Sequence, residues 1–165
     1  MKLPICELCA SSGTLCSGCS AKLADGRLTE LDVKISALLY KMKDKYNLND
    51  ADFTKAIDLG RVVLVLTKGD VGKLIGREGK VVAEISQEVG KKVRIAEMSG
   101  DVRKTISDII MPAKLLGINE VFSMAGTSYK VRLPSSELSH LPIDLNSLEK
   151  ALYSLLDSKV SIVFE

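Results

Sequence analysis

The stretch that decides the fold is IGREGKVV, residues 75–82, in which two glycines enclose two charged residues. Glycine adopts positive φ angles without strain and has no side chain to keep a ligand away from the backbone. Val71–Ile75 before the turn has the composition of one or two helical turns. Lys80–Val89 after it has the apolar spacing of a helix that Gly90 ends. The sequence therefore predicts two helices joined by a sharp glycine turn.

Strands are predicted on both sides of this helix pair. Arg61–Thr67 is a run of apolar and β-branched residues without polar alternation, which indicates a strand covered on both faces. Lys91–Met98 alternates basic and apolar residues, as a half-exposed strand does. Lys68-Gly69-Asp70 predicts the turn after the first strand, with Asp70 as the cap of the next helix. The predicted order is strand, short helix, glycine turn, helix, strand.

A helix that begins directly after a glycine turn is a candidate phosphate site. The first N–H groups of the helix at Lys80 lack partners within the helix and carry the positive end of its dipole, so they favour an anion. Arg77 and Lys80 add full positive charges. Residues 68–94 contain seven basic and four acidic residues, a balance of +3, whereas the whole chain has +2. Positive charge is therefore concentrated around the turn, as phosphate binding requires.

Residues 75–82 resemble the KH-domain core I-G-x-x-G-x-x-I at every defined position except the last, where Val82 replaces isoleucine. The resemblance covers about Arg61 to Met98. In KH domains this turn clamps the backbone of four nucleotides while their bases lie in an apolar groove. The resemblance implies an RNA-binding role for nine residues: Lys73, Ile75, Gly76, Arg77, Glu78, Gly79, Lys80, Lys92 and Arg94. Because Glu78 is an acidic residue inside the clamp, we expect modest affinity.

Several alternatives remain open at this stage. The turn could simply join two helices of a KH-like fold that contacts protein, and Lys92 and Arg94 could lie on a solvated strand face. Val71, Leu74, Ile75 and residues 93–95 are candidates for the groove or for the core, and the sequence does not divide them. A mononucleotide P-loop is excluded, because G-x-x-x-x-G-K-[ST] does not occur.

All four cysteines lie within the first 19 residues, as the pairs Cys6/Cys9 and Cys16/Cys19. Each C-x2-C pair can present two thiolates to one metal, and two pairs complete a tetrahedral sulfur shell that suits Zn²⁺. Met1–Asp25 is rich in Cys, Ser and Gly and has little periodic pattern, so we expect that it cannot bury a core without such a staple. We therefore predict one structural zinc ion, with no open position for catalysis. Unrelated thiols, a redox dithiol pair or an iron–sulfur cluster are the alternatives.

The remaining sequence predicts further helices and strands. Thr29–Tyr46 has an amphipathic stripe with Thr29 as its cap, and a break at Asn47–Asp50 precedes a predicted short helix to about Asp58. Later elements are predicted as follows: a helix over Asp101–Met111, a hairpin of Asn119–Met124 and Ser128–Leu133, an ambiguous stretch at Ser135–Leu141, a helix over Leu145–Leu156 and a strand over Lys159–Phe164. The last four elements repeat the order found around Gly76.

The predicted fold class is α/β, of the α+β kind, in four segments: a four-cysteine zinc knuckle (1–25), linking helices (26–58), a KH core with its GxxG turn (59–100) and a degenerate KH-like module (101–165). The chain resembles small archaeal proteins that join a zinc knuckle to a KH module. Their KH part is similar to the tandem type II KH modules of the transcription elongation factor NusA. The resemblance implies that residues 101–165 are a second KH module without its glycine turn.

Composition and motifs limit the function. The near-neutral charge excludes binding of nucleic acid by bulk charge, and seven aromatic residues without Trp disfavour OB and RRM platforms. His140, the only histidine, is expected to be a surface or capping residue, and we expect no enzyme. No apolar run reaches membrane-span length and no secretory signal is present, so a cytoplasmic location is expected.

The sequence thus predicts an RNA-binding protein whose partner is single-stranded or ribosomal RNA. It would be a NusA-like transcription elongation or antitermination factor that meets RNA polymerase, or a ribosome-associated factor. The alternative is a non-catalytic structural subunit of a ribonucleoprotein or polymerase complex that uses the KH fold for protein contact. Neither a membrane nor a small-molecule substrate is expected as a partner.

Overall fold

The computed structural model describes residues 1–98, 100–141 and 143–165. The chain forms two compact units, Met1–Met98 and Ser99–Glu165. Each unit contains one three-stranded sheet, and the first unit also contains the N-terminal cysteine cluster. The fold is therefore mixed α+β, as predicted.

The first unit contains five helices and three strands among its described residues: α1 (Glu7–Ser12), α2 (Ser17–Ala24), α3 (Glu30–Met42), β1 (Lys55–Asp58), β2 (Val62–Thr67), α4 (Val71–Ile75), α5 (Lys80–Val89) and β3 (Lys92–Glu97). Its sheet has the order β1-β2-β3, with β1 antiparallel and β3 parallel to β2. All six residues of β2 are buried, which confirms the prediction of a strand covered on both faces. The parallel step from β2 to β3 requires a crossover, and α4 and α5 provide it.

The second unit repeats this order with two helices and three strands in its described part: α6 (Val102–Ile110), β4 (Gly117–Ser123), β5 (Gly126–Leu133), α7 (Leu145–Leu156) and β6 (Lys159–Phe164). Its sheet has the order β4-β5-β6, again with one antiparallel and one parallel pair. A 3₁₀ turn over Ser135–His140 stands where the first unit has α4. The repeat predicted from element order therefore extends to strand direction.

The predicted short helix ending near Asp58 is wrong, because Lys55–Asp58 forms β1. Its residues pair antiparallel with β2, from Lys55 opposite Leu66 to Asp58 opposite Val63. Pairing with a buried strand satisfies backbone groups that a helix of so few residues would leave without partners. Of the predicted linking helices, α3 is therefore the one that forms, and it ends at Met42, one turn before Tyr46.

Helix α3 belongs to two hydrophobic cores. Ile35, Leu39 and Met42 lie in a core with residues of β2, α4 and α5. Val33 and Tyr40 pack instead against the cysteine segment, whose core contains Ile5, Cys9, Ala10, Cys19 and Leu28. Helix α3 therefore packs on one side against the cysteine segment (residues 1–28) and on the other against the KH-like part of the unit.

Polar contacts fix the start of α3 and the N-terminal segment of the chain. Thr29 caps α3 in a capping box with Asp32, as the sequence predicts for Thr29. The second oxygen of the Asp32 carboxylate accepts from the N–H of Ala56, in β1. The N-terminal segment is attached by backbone hydrogen bonds of 2.9 Å from Lys2 to Ala51 and from Phe53 to Lys2. The start of α3 is thus bound to β1, and Lys2 is bound to the residues that lead into β1.

Candidate nucleic-acid and metal sites

The glycine turn is built as a sharp reversal between α4 and α5. Asp70 caps α4, as predicted, by accepting from the N–H of Gly72 at 2.8 Å. Gly76 has φ 78° and ψ 169°, a conformation open essentially to glycine alone. Glu78 and Gly79 also have positive φ, 56° and 72°. Three positive φ angles in four residues turn the chain so that α5 begins at Lys80.

The two glycines have different roles. A Cβ on Gly76 would lie 2.5 Å from Cγ2 of Val81 and 2.9 Å from the backbone nitrogen of that residue. The missing side chain of Gly76 therefore makes room for the chain's own helix, whereas the sequence argument expected room for a nucleotide. A Cβ on Gly79 would meet nothing closer than 3.8 Å, at Val82. Of the two positions, Gly79 is the one open to an approaching backbone.

Helix α5 begins without a side-chain cap. Its N-cap is Gly79, and no side chain accepts from its first turn. The N–H of Lys80 donates to Arg77 O within the turn, which leaves the following N–H groups as the positive end of the helix. Among the described helices of eight or more residues, the other N-caps are Cys16, Thr29, Asp101 and Asp144, and each accepts from its own first turn.

The basic residues around the turn divide into unpaired and paired groups. Arg77, Lys80 and Lys92 are exposed and Lys73 is half-buried, and none of them has an ion pair within the described part of the chain. Arg94 is half-buried and has a partner within the chain. Glu78 is exposed in the middle of the turn. Three of the unpaired cations, Lys73, Arg77 and Lys80, thus lie in or beside the turn.

Lys91 forms an ion pair within the first unit. Its Nζ lies 2.7 Å from Oδ2 of Asp58, so it joins the start of β3 to the end of β1. The hydrogen bond from Lys91, together with one from the N–H of Gly60, holds the pKa of Asp58 below its usual range.

The burial of the apolar candidates shows which of them belong to the core and which are accessible to a base. Leu74 is fully buried in the core, and Val93 and Ile95 are half-buried against it. Ile75 is 38% exposed at the end of α4, immediately before the turn. Val71 is half-buried. Ile75 is therefore the apolar side chain of this set that a base could contact most openly.

The corresponding place in the second unit is closed to an anion. Oδ2 of Asp144 accepts from the N–H of Ser147 at 3.0 Å, so a carboxylate already occupies the amino end of α7. The 3₁₀ turn before it contains no glycine. His140 lies on the surface with Nδ1 3.0 Å from Oε2 of Glu137, and this contact lowers the pKa of Glu137. The second unit thus has the strand and helix order of the first without its turn.

The four cysteine sulfurs converge on one point. All four Sγ atoms lie within 4.8 Å of one another, with Cys6 and Cys9 at 3.2 Å and Cys6 and Cys16 at 3.9 Å. A tetrahedral sulfur shell with bonds of about 2.3 Å has sulfurs about 3.8 Å apart, so the cluster fits a single metal ion. Cys6 and Cys16 are the N-caps of α1 and α2, and Cys9 and Cys19 are buried one turn later.

Neighbouring groups shift the pKa values of the cysteine thiols in opposite directions. The N–H of Cys19, with the Cys9 and Cys19 thiols, lowers the pKa of Cys16 to about 6. The N–H and thiol of Cys9 lower the pKa of Cys6. The N–H of Cys16 favours the Cys9 thiolate, but the Cys6 thiol and burial outweigh it and raise the pKa of Cys9 to about 12. Without a metal the protons are thus unevenly shared, and a bound cation would displace those that remain.

Comparison with known proteins gives partial similarity. No protein-family model matches the chain. A segment of 55 residues, 33% of this chain, is 44% identical to the probable transcription termination protein NusA of Methanocaldococcus jannaschii and covers 30% of that protein. The NusA of Methanococcus vannielii is 34% identical over 55 residues, 33% of this chain and 32% of that protein. The match thus spans about a third of the length of these curated relatives.

A solved structure supports the fold. The crystal structure of APE1850 superposes with a TM-score of 0.56 at 17% identity, over 77% of this chain and 96% of that chain. At this identity the likeness concerns the fold alone. The class that fold and site define is a mixed α+β chain with KH-like modules and a four-cysteine cluster, and its particular sequence similarity is to archaeal NusA. No helix in the described ranges combines the length and apolarity needed to cross a bilayer.

Proposed function

We propose that this chain binds single-stranded RNA through the turn at Ile75–Lys80 and acts, like NusA, in transcription elongation or antitermination. The observation that carries the proposal is the uncapped amino end of α5, with Arg77 and Lys80 unpaired beside it. Helix N–H groups and two cations at one exposed point favour a phosphate. The partial similarity to archaeal proteins named as probable transcription termination proteins supports a role in transcription.

The proposed contact assigns a part to each residue of the turn. Gly79 lets the sugar-phosphate backbone approach, Gly76 keeps the turn seated on α5, and Arg77 and Lys80 face the phosphates with Lys73 nearby. Ile75 offers an apolar surface to a base, and Lys92 and Arg94 extend the basic surface onto β3. Glu78 opposes the phosphates, so affinity from this turn alone is modest.

The metal of the cysteine cluster is proposed to be Zn²⁺, bound by Cys6, Cys9, Cys16 and Cys19. Four thiolates form a closed shell, and the ion supplies folding energy to a segment with a small core. The proposed function is accordingly one of binding without catalysis. RNA polymerase is the proposed protein partner; the ribosome remains a prediction of the sequence that the comparisons leave without support.

The experiment replaces both charged residues of the turn, Arg77→Asp with Glu78→Asp, and keeps both glycines. Affinity of the full chain for single-stranded RNA is measured over a range of salt concentrations. We expect weaker binding and a salt slope smaller by about 0.7 for each phosphate that the turn no longer neutralises. Lys34→Glu is the control, because it makes the same charge change on the exposed side of α3. Equal RNA affinity and salt slope in the turn variant and the unmodified chain would show that the turn is not a clamp.

Co-purification of the same turn variant tests the alternative that the chain is a structural subunit of a larger complex. If the turn variant loses RNA but still co-purifies with a large complex, the protein-contact alternative is favoured. If it loses both, RNA binding precedes assembly.

A further inference from the structure

The second unit contains a groove that the clamp does not use. It is open to solvent, has a volume of about 540 Å³ and lies between α7 and the start of β6, lined by Asn146, Glu149, Lys150, Tyr153, Lys159 and Val160. The groove is far along the chain from the glycine turn, and no residue of the predicted RNA site is in it.

Tyr153 presents its ring to this groove. The opposite side of α7 carries Leu148, Ala151 and Leu152, which are fully buried, so the helix is anchored by that face. Tyr153 is 57% exposed, although an aromatic ring of this size is commonly covered in a folded chain. Every nucleobase has a π-face, and an exposed ring on a rigid helix is a platform on which a base can stack.

The charges around Tyr153 favour an anion. Lys150 and Lys159 are exposed on the two walls of the groove, and neither has an ion pair among the described residues. The one acidic residue of the lining, Glu149, accepts from the N–H of Ile162 at 3.2 Å and keeps its negative charge, so two lysines and one glutamate give the lining a balance of +1. The groove therefore combines one aromatic ring with two unpaired ammonium groups and the amide of Asn146.

Phe122 provides a contrast within the same unit. It is 75% exposed near the tip of the β4–β5 hairpin, but the only charge between Asn119 and Thr127 is that of Glu120. An aromatic beside a carboxylate, without a cation, does not suit a phosphodiester. The two exposed rings thus differ in the chemistry that surrounds them.

We infer that the α7–β6 groove binds one nucleotide of single-stranded RNA, with its base stacked on Tyr153 and its phosphates facing Lys150 and Lys159. The inference rests on the proposed RNA-binding function and adds a second contact to it. The unit that lacks the glycine turn then still holds RNA, by stacking and charge instead of by helix N–H groups. The Asn146 amide can donate to or accept from the edge of the stacked base.

The test uses the full chain and single-stranded oligouridylate, with binding followed by fluorescence anisotropy of the labelled RNA. We expect Tyr153→Ala to weaken binding about tenfold, the scale of one base stack. Tyr153→Phe keeps the ring and should remain within about twofold of the unmodified chain. Lys150→Gln with Lys159→Gln should lower the salt slope by about 0.7 for each phosphate left without its cation. Phe122→Ala is the matched control and should leave affinity unchanged.

Photo-crosslinking gives a readout that does not depend on stability. A 4-thiouridine oligonucleotide should crosslink to the peptide that contains Tyr153. Absence of that crosslink, or Tyr153→Ala binding as tightly as Phe122→Ala, would overturn the inference. The Arg77→Asp/Glu78→Asp variant separates this inference from the proposed function. If that variant loses RNA affinity and Tyr153→Ala does not, the groove is refuted and the clamp at the glycine turn is retained. If Tyr153→Ala loses RNA affinity and the turn variant does not, the clamp is refuted and the groove is retained.

Discussion

Asp32 and Ala56 are joined by a hydrogen bond of 2.7 Å, from the N–H of Ala56 in β1 to the carboxylate of Asp32 in the first turn of α3. The other carboxylate oxygen accepts from the N–H of Thr29 at 3.0 Å. Asp32 is only 2% exposed. One buried side chain thus fixes the start of the shared helix and its distance from the edge strand of the sheet.

Removing the Asp32 carboxylate should lower the free energy of unfolding. Asp32→Ala leaves the buried N–H of Ala56 without an acceptor and dissolves the capping box, which together cost about 2–4 kcal/mol in free energy of unfolding. Urea denaturation followed by circular dichroism measures the change. Asp44→Ala, at an exposed carboxylate, is the control and should stay within about 0.5 kcal/mol. Equal stability of the two variants would show that the Asp32 contact does not hold α3 on the sheet.

Gly76 and Gly90 form a matched pair for testing the turn. Both have positive φ, 78° and 71°, but a Cβ on Gly90 would meet nothing within 4 Å. Gly90→Ala should therefore cost about 1–2 kcal/mol from backbone strain alone. Gly76→Ala adds the clash with Val81 and the greater strain of ψ 169°, whereas Gly90 has ψ 18°, and should cost about 1–3 kcal/mol more. Thermal unfolding of both variants measures the difference, and equal destabilisation would mean that the turn relaxes to relieve both the clash with Val81 and the backbone strain.

Removal of the metal should unfold the cysteine segment. Treatment with a chelator should release one metal ion per chain and lower helix content, since α1 and α2 are held mainly by the thiolate shell. Elemental analysis of the purified protein identifies the ion, with zinc expected. Cys16→Ser should bind metal more weakly, and Ser17→Ala is its neighbouring control. A chain that contains iron, or that keeps its folding without metal, contradicts the zinc assignment.

The ion pair between Lys91 and Asp58 predicts a small pH dependence. The pKa of Asp58 is lowered in the folded chain, so the pair adds stability above the unfolded pKa of an aspartate and loses it as pH falls through the lowered folded value. Because the Asp58 side chain is half exposed, the contribution is about 0.5 kcal/mol. Lys91→Met should therefore destabilise the chain slightly at neutral pH and not at strongly acid pH. A difference in stability that is constant across pH would contradict the ion-pair explanation.

The local pattern of residues was sufficient to predict most of the elements. The helix over Lys80–Val89 has both a strong apolar stripe and a glycine stop, and the structure gives the same bounds. The strand at Val62–Thr67 and the convergence of the paired cysteines follow equally from local composition and spacing. Asp70 and Thr29 cap their helices because the side chain and the N–H groups that it serves are neighbours in sequence.

Features that depend on residues distant in sequence could not be predicted from local patterns. Lys55–Asp58 is a strand because β2 is beside it, and four residues carry too little pattern to show that. The contact of Gly76 with Val81 depends on the angle between α4 and α5, so the motif alone suggested a different reason for the glycine. The groove beside Tyr153 is formed by residues of α7 and of the start of β6, so it depends on the packing of these two elements. The bond between the buried carboxylate of Asp32 and Ala56 spans 24 residues, so no local pattern indicates it.

The two-sided packing of α3 has a consequence for how this chain can be divided. A cut near residue 26 would strip the cover from Val33 and Tyr40 and remove the Lys2 strand contact at Ala51 and Phe53. Neither the cysteine segment nor the KH-like sheet is therefore expected to keep its packing when separated from the other, because each covers apolar side chains of the helix they share.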